Sequence, residues 1–365
     1  MNIKRIGSVA AIALASSLVL ASCAANENGG GDNNSEAPSN LSGTLVGGGA
    51  SSQGEAQKAW AAAFQTANVD VTVEYDPSGS GNGRDAFIAG ASSFAGSDRA
   101  FKDEELAKDN FASCKPGTDI VEIPAYISPI AIIFNLDGID SLNLDADTIA
   151  KIFTGEITTW NDPAIAADNP DVTLPSTAIT PVHRLDKSGT TGNFTEYLSE
   201  AAPESWTHGS VEEWPIAGGE AASQTSGLVD VVKSSTGMIG YADASRAGKL
   251  GTVAVKVGED FVPYSAEAAA AIVDASPMAE GRSDVDLAIK LDRKSDAANV
   301  YPVVLISYLI ACSEYADAEA GELVKEFFTY IISDKGQKDA AEASGSAPIS
   351  STLFKKAQSA VDVIK

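Results

Sequence analysis

The sequence predicts an α/β fold organised in two lobes. Strand-like runs alternate with helical runs along most of the chain, a pattern typical of helices packed on sheets. The chain has 365 residues, of which 44% are hydrophobic, and this is longer than one hydrophobic core comfortably holds. Three Gly/Ser-rich turns stand between a strand-like run and a helix start, where free backbone amides converge.

The predicted elements each follow from a local residue pattern. Apolar or alternating runs predict strands at residues 69–75, 127–135, 178–183, 237–241 and 303–310. Helical periodicity predicts helices at residues 53–65, 103–109, 147–153, 193–198 and 321–332. We expect the large aromatic side chains on these elements to pack the lobes; they are Trp60, Phe64, Phe87, Phe153, Trp160 and Tyr241.

The most informative turn lies at residues 183–198. Arg184 supplies a planar fork of donors, and Asp186 lies two positions on, so on an extended strand both side chains point to the same face and can pair. Ser188 and Thr190 add hydroxyl donors directly ahead of a helical run, and Gly189 lets the backbone come close to a ligand. This combination predicts a site for a small tetrahedral oxyanion.

Two further turns have the same character. Gly-Gly-Gly-Ala-Ser-Ser at 47–52 follows a short apolar run, and Ser-Gly-Ser-Gly-Asn-Gly at 78–83 follows the predicted strand 69–75. Each precedes a helical pattern, so each places backbone amides where an anion can bind. Three such turns in one chain are difficult to explain as plain connections.

Ordered motifs along the chain resemble the phosphate-binding proteins of bacterial phosphate ABC importers. They are Gly-Gly-Gly-Ala-Ser at 47–51, Gly-Ser-Gly at 79–81, Phe-Ala-Gly-Ser-Asp at 94–98, Ile-Phe-Thr-Gly-Glu-Ile-Thr-Thr-Trp-Asn-Asp-Pro-Ala-Ile at 152–165 and Arg-x-Asp-x-Ser-Gly-Thr at 184–190. The resemblance runs from about residue 42 to the C-terminus. It implies a two-lobed periplasmic-binding-protein-like fold of type II with a ligand cleft between the lobes, and capture of phosphate for the membrane permease of an ABC importer.

The resemblance also implies the phosphate-binding residues and the lobe boundaries. Residues 41–122 and 301–365 would form the first lobe and residues 123–300 the second, and closing the cleft would bury the ion. Asp98 implies a choice of phosphate over sulfate, because only phosphate presents a proton to a carboxylate; the alternative is that Asp98 caps the helical run 103–109. The implied ligand-binding residues are Ser51, Ser80, Asp98, Arg184, Ser188, Gly189 and Thr190, with Asp186 in support.

The sequence departs from the family pattern at three positions, one of them an implied ligand residue. Ser51 stands where threonine is usual but keeps the hydroxyl, and Ser52 stands where phenylalanine is frequent. Arg84 replaces a small residue and either adds a second positive charge near the cleft or faces solvent. The roles of Ser52 and Arg84 stay open at this point.

The N-terminal residues predict export and lipid anchoring. Lys4 and Arg5 precede an apolar run that is too short to span a membrane and ends in Leu-Ala-Ser-Cys at 20–23. We therefore expect residues 1–22 to be a lipoprotein signal peptide and Cys23 to carry the lipid; the alternative is a plain signal with an incidental cysteine. Residues 23–40 are too polar to fold alone and predict a flexible tether.

Two cysteines remain once Cys23 is assigned to the lipid. Cys114 precedes the first crossing between the implied lobes and Cys312 follows the return, so both belong to the same lobe. An oxidising compartment favours a disulfide between them. The alternative is two buried free thiols.

Charge and composition exclude several other functions. The formal net charge of −25 argues against nucleic-acid binding, so we expect affinity for an anion to depend on short-range donors and on Arg184. The chain has only two histidines, His183 and His208, and no Gly-x-Ser-x-Gly elbow, which argues against a serine hydrolase. Lys187-Ser188 lacks the upstream glycines of a Walker loop, which argues against nucleotide hydrolysis.

We therefore expect a monomeric binding protein rather than an enzyme, with no cofactor and no metal. Two alternatives stay open. The chain could bind another oxyanion, such as sulfate or molybdate, or act as a phosphatase with a serine nucleophile near Arg184.

Overall fold

The computed structural model describes residues 41–107 and 111–365. The predicted signal peptide and tether, including Cys23, lie outside the described residues. The described strands are β1 Gly43–Gly49, β2 Val71–Asp76, β3 Phe94–Ser97, β4 Ile120–Phe134, β5 Ser141–Leu144, β6 Thr180–Arg184, β7 Glu220–Ala222, β8 Met238–Asp243, β9 Gly251–Val257, β10 Asp260–Val262 and β11 Val304–Cys312.

Helices connect most of these strands. They are α1 Gly54–Ala67, α2 Ser80–Ile88, α3 Asp103–Leu106, α4 Ala146–Thr154, α5 Pro163–Asp168, α6 Gly189–Ala201, α7 Gln224–Ser234, α8 Ala266–Ala275, α9 Ala318–Ile332, α10 Asp334–Ser344 and α11 Ser351–Asp362, with a 3-10 turn at Ala244–Arg246. Among the described residues, no helix combines the length and the apolar character that crossing a membrane requires.

The strands form two groups joined by β4. In the first group β1 lies between β2 and β3 and is parallel to both, and β11 is antiparallel to β3 and to residues 120–129 of β4. In the second group residues 130–134 of β4 are antiparallel to β8, and β6 is parallel to β8 and to β7. β9 pairs with β4, β5 and β10. The predicted lobe boundary between residues 122 and 123 therefore falls within β4; the boundaries themselves stay a prediction.

Every predicted strand and helix contains an element of the predicted type, but the ends differ. The largest difference is β4, which begins at Ile120 and not at residue 127. Glu122 and Pro124 argue against a strand in the local sequence. The segment is nevertheless a strand because it pairs with β11. The buried Glu122 carboxylate is tolerated there because it accepts a hydrogen bond from Phe101 N at 2.8 Å and lies 3.8 Å from Arg282.

The aromatic side chains expected to pack the lobes are all buried. Trp60 and Trp160 are fully buried, and their indole nitrogens donate to Gly336 O and Gly237 O at 2.7 and 3.1 Å. A buried large apolar side chain contributes about 1.5–3 kcal/mol relative to an exposed one. These residues stabilise the elements that carry the candidate site.

Cys114 and Cys312 form a disulfide, with Cα atoms 5.3 Å apart. The prediction of this bridge is confirmed, and the free-thiol alternative is wrong. The bridge joins the segment before β4 to the last residue of β11 across 198 positions of sequence. In the chain-entropy account a loop of this size stabilises the fold by about 3–5 kcal/mol.

Candidate functional site

The strand order explains why Ser51, Ser80 and Asp98 lie together. They follow β1, β2 and β3, and parallel neighbours end at the same edge of a sheet. Asp98 N donates to Ser80 Oγ at 3.1 Å, and both residues are buried. Three turns that are distant in sequence thus form one polar edge.

The second strand group presents a facing edge. Arg184 is the last residue of β6, and parallel β7 ends at Ala222, next to the start of α7. The Arg184 side chain is 2% exposed. A guanidinium removed from water in this way needs partners on every side.

Asp186 orients Arg184. Arg184 Nε donates to Asp186 Oδ1 at 2.8 Å, and Nη2 makes a second hydrogen bond to Oδ2. Burial alone would raise the pKa of Asp186, but the hydrogen bond and charge of Arg184 outweigh burial and lower that pKa. The pair is bidentate, so the guanidinium is held in one plane.

Asp98 lies in a ring of hydroxyl donors. Ser52 Oγ and Ser307 Oγ donate to Oδ1 at 2.5 and 2.6 Å, and Thr190 Oγ1 donates to Oδ2 at 3.0 Å. Burial raises the pKa of Asp98, although the hydrogen bonds from Ser307, Ser52 and Thr190 oppose the rise. Because the N-cap of α3 is Lys102, the capping alternative for Asp98 is wrong.

The first turn of α6 contacts the first strand group. Ser188 caps this helix, and its Oγ accepts from Thr191 N at 3.2 Å. A Cβ added to Gly189 would lie 2.5 Å from Ser80 Oγ and 2.6 Å from Asp98 Cβ. Gly189 therefore lies at a close approach of the two edges that a larger residue would disturb.

The two edges also make direct hydrogen bonds. Arg184 Nη2 donates to Ser51 Oγ at 3.2 Å, Asn193 Nδ2 donates to Asp98 O at 2.6 Å, and Gly81 N donates to Lys187 O at 3.1 Å. Hydroxyls, the Arg184 cation and the carboxylates of Asp98 and Asp186 are thus gathered at a largely buried junction at the ends of the strands. All seven residues implied as ligands line this junction.

Sequence reasoning missed Thr225 and Ser307 and left Ser52 open. Ser307 lies at a register irregularity in β11, and such a bulge redirects side chains. Thr225 follows the short β7 in the segment Ser-Gln-Thr-Ser-Gly at 223–227. This is a fourth polar turn before a helix. It was missed because β7 has only three residues, too few to give a strand-like run ahead of the turn.

Arg84 lies in a buried ion-pair cluster, so the solvent-facing alternative is wrong. Its side chain is 0% exposed; Nη1 donates to Ser97 Oγ and Nη2 to Glu212 Oε2, both at 2.6 Å. Arg99 also reaches Glu212, at 2.9 Å, and pairs with Glu105 at 2.6 Å. Burial would raise the pKa of Glu212, but the charges of Arg84 and Arg99 lower it. The cluster joins α2 and the end of β3 to the loop after α6.

His183 has surroundings typical of a structural residue. Its ring stacks on Trp214 at 5.1 Å, and Nδ1 lies 3.1 Å from Arg184 O. Within the described part of the chain, no group of three or more His, Cys, Asp or Glu side chains is arranged to hold a metal ion.

Comparisons with known proteins agree with this arrangement. A family model described as a PBP superfamily domain matches residues 34–335. Phosphate-binding protein PstS 3 of Mycobacterium tuberculosis is 32% identical over 374 aligned positions, which cover 100% of both chains. Phosphate-binding protein PstS of Methanocaldococcus jannaschii is 31% identical over 329 positions, covering 84% of this chain and 82% of its own.

Solved structures share the fold. A high-affinity periplasmic phosphate-binding protein, PfluDING, solved with bound phosphate, superposes with a TM-score of 0.69 at 23% identity and covers 87% of this chain and 93% of its own. A phosphate-binding protein from Stenotrophomonas maltophilia gives a TM-score of 0.64 at 21% identity, with the same coverage, 87% and 93%. The predicted two-lobed periplasmic-binding-protein-like fold is confirmed.

Proposed function

The chain belongs to the PstS phosphate-binding proteins of the PBP superfamily, and from this premise we propose that it captures inorganic phosphate outside the cytoplasm. In this proposal it delivers the ion to the membrane permease of an ABC importer. The cleft between the lobes holds the ion and shields it from water.

The observation that carries the proposal is the buried Arg184, held by Asp186 and aimed at Ser51 across the cleft. A desolvated guanidinium with one plane and fixed hydrogen bonds suits a tetrahedral oxyanion. The net charge of −25 repels anions at long range, so affinity comes from these short contacts.

We propose that the ligand contacts come from both lobes. Ser51, Ser80 and Asp98 act from the first, and Arg184, Ser188, Gly189 and Thr190 from the second, with residues 41–122 and 301–365 against 123–300 as the division. Hydroxyls and the amides at the start of α6 donate to the phosphate oxygens. Asp98 accepts the proton that phosphate carries near neutral pH.

The remaining parts of the proposal concern the whole protein. Residues 1–22 direct export, Cys23 carries the lipid, and residues 23–40 tether a monomer to the membrane. The protein binds phosphate without turning it over, so incubation with an aryl phosphate ester is expected to release no product. Release of phosphate at a constant rate per protein molecule would favour the phosphatase alternative.

Substituting Arg184 tests the site. Arg184→Ala leaves buried phosphate oxygens without their charged partner, and we expect affinity to fall by at least about 100-fold. The measurement is calorimetric titration with phosphate after carried-over ligand has been removed. Lys249→Ala is the matched control, since it removes an exposed cation on the same lobe.

Near-parental affinity in Arg184→Ala would show that the site lies elsewhere. Competition with sulfate and molybdate distinguishes phosphate from other oxyanions. We expect neither ion to displace phosphate at comparable concentration.

A further inference from the structure

Thr225 lies at the edge that carries Arg184, yet none of the anion-binding motifs contains it. It is the second residue of α7 and is 3% exposed. The preceding Gln224 has a φ of 63°, a left-handed conformation that is unfavourable for a non-glycine residue and tends to occur at functional sites. This turn directs the amides of Gln224 and Thr225 into the site, where they donate to Asp186 Oδ1 and Ser51 Oγ at 2.9 and 3.1 Å.

Ser51 receives as many donors as one hydroxyl can accept. Its oxygen has two lone pairs and carries one proton. Thr225 N donates at 3.1 Å and Arg184 Nη2 at 3.2 Å, so both acceptor positions of Ser51 Oγ are taken. The only hydrogen bond left to the Ser51 hydroxyl is donation of its own proton.

The same count applies to the Thr225 hydroxyl. Thr225 Oγ1 lies 3.0 Å from Ser51 Oγ and can accept the Ser51 proton. It cannot donate back, because Ser51 Oγ is filled. Among the described residues, the Thr225 hydroxyl makes no other hydrogen bond, so its proton has no protein acceptor. A buried donor of this kind is costly unless a ligand satisfies it.

We propose that Thr225 is a further anion-contact residue, which donates its hydroxyl proton to the bound phosphate beside Ser51. The inference rests on the proposed phosphate function and adds a contact from the first turn of α7. Thr225 and Ser51 belong to different lobes, so the hydrogen bond between their hydroxyls forms only when the cleft is closed.

Removing the hydroxyl tests the inference. Thr225→Val keeps the shape of the side chain and the backbone amide, and Thr225→Ser keeps the hydroxyl. We expect Thr225→Val to bind phosphate about 10-fold to 100-fold more weakly, the range for one hydrogen bond to a charged group. Thr225→Ser should stay within about three-fold of the parent, since it retains the donor. Calorimetric titration with inorganic phosphate measures both.

Three outcomes would overturn the inference. Parental affinity in Thr225→Val would show that the hydroxyl does not contact the ion. Equal weakening in Thr225→Val and Thr225→Ser would show that packing alone matters. Absence of phosphate binding by the parent protein would overturn the proposed function itself. The parent titration therefore distinguishes failure of the proposed function from failure of the Thr225 contact alone. If Thr225→Val melts at a lower temperature than the parent without ligand, Thr225→Ala replaces it in the same comparison and the same loss is expected.

Discussion

At the scale of single residues, we propose that Asp98 decides which oxyanion the site accepts. A carboxylate offers about four acceptor positions. Ser52 and Ser307 take two of them on Oδ1, and Thr190 takes one on Oδ2. One position on Oδ2 is therefore left, and it suits a ligand that brings its own proton.

Asp98→Asn should narrow the preference for phosphate over sulfate. Two serine hydroxyls donate to Oδ1, so the asparagine carbonyl will occupy that position and its NH₂ group will replace Oδ2. Phosphate then loses the acceptor for its proton, whereas sulfate gains a donor and escapes a desolvated negative charge. We expect the ratio of sulfate to phosphate dissociation constants to fall by at least about ten-fold.

Competition titration measures this ratio. Asp85→Asn serves as the control, because it removes an acid that is 66% exposed on the neighbouring helix α2. If Asp98→Asn rejects sulfate as strongly as the parent, selectivity comes from another part of the cleft.

At the scale of elements, strand ends and helix starts build the site, and a buried ion cluster joins its two halves. β1, β2 and β3 bring three polar turns to one edge, and parallel β6 and β7 bring two more to the other. Arg84 is fully buried where it meets Glu212. An unpaired charge in that position would be strongly unfavourable, so the pair with Glu212 favours the arrangement in which the Glu212 loop lies against α2.

Glu212→Gln should weaken phosphate binding without touching the proposed ligands. The closed arrangement loses its pairs with Arg84 and Arg99, whereas the open arrangement lets both arginines contact water. Breaking a buried pair costs about 3–5 kcal/mol. The share of this cost that falls on the closed arrangement and not on the open one lowers the affinity for phosphate. We expect a loss of about ten-fold.

Glu213→Gln is the matched control for this variant. It removes the same charge from the adjacent, exposed position, and therefore has the same long-range effect on an anion. Equal phosphate affinity in the two variants, measured by calorimetry, would contradict a role of the cluster in closing the cleft.

At the scale of the whole molecule, Gly189 lies where the second strand group packs against Ser80 and Asp98 of the first, and we propose that closing the cleft requires this contact. Gly189 is the first residue of α6, where alanine favours the helix more than glycine does. The obstacle to a side chain comes from Ser80 and Asp98 in the first strand group. Glycine at position 189 is therefore explained by the contact with Ser80 and Asp98 and not by the needs of α6.

Gly189→Ala should separate stability from binding. The added Cβ would lie 2.5 Å from Ser80 Oγ, so the cleft cannot close fully and we expect phosphate affinity to fall by about 100-fold or more. The melting temperature without ligand should be equal to or above that of the parent. Gly227→Ala in α7 is the control, since its Cβ would make only an ordinary contact at 3.8 Å. Parental affinity in Gly189→Ala would show that the lobes do not approach this closely in the bound state.

The sequence by itself determined the alternation of strands and helices, the polar turns ahead of helices, the pairing of Arg184 with Asp186 and the partners of the disulfide. The first three features depend on residues that are close in sequence, and the disulfide depends on how few cysteines the chain has. They can therefore be predicted without the tertiary structure. The structure places the implied ligand residues together, and their contacts with phosphate stay a prediction.

Only the tertiary structure decided which distant side chains meet in the cleft. Ser307 and Asp98 are 209 positions apart, Thr225 and Ser51 174, and Arg84 and Glu212 128. These contacts follow from strand order, from the irregularity in β11 and from the approach of the two lobes. Local propensity carries no information about such pairings, because their free energy is realised only when both partners have been brought to the same place and withdrawn from water.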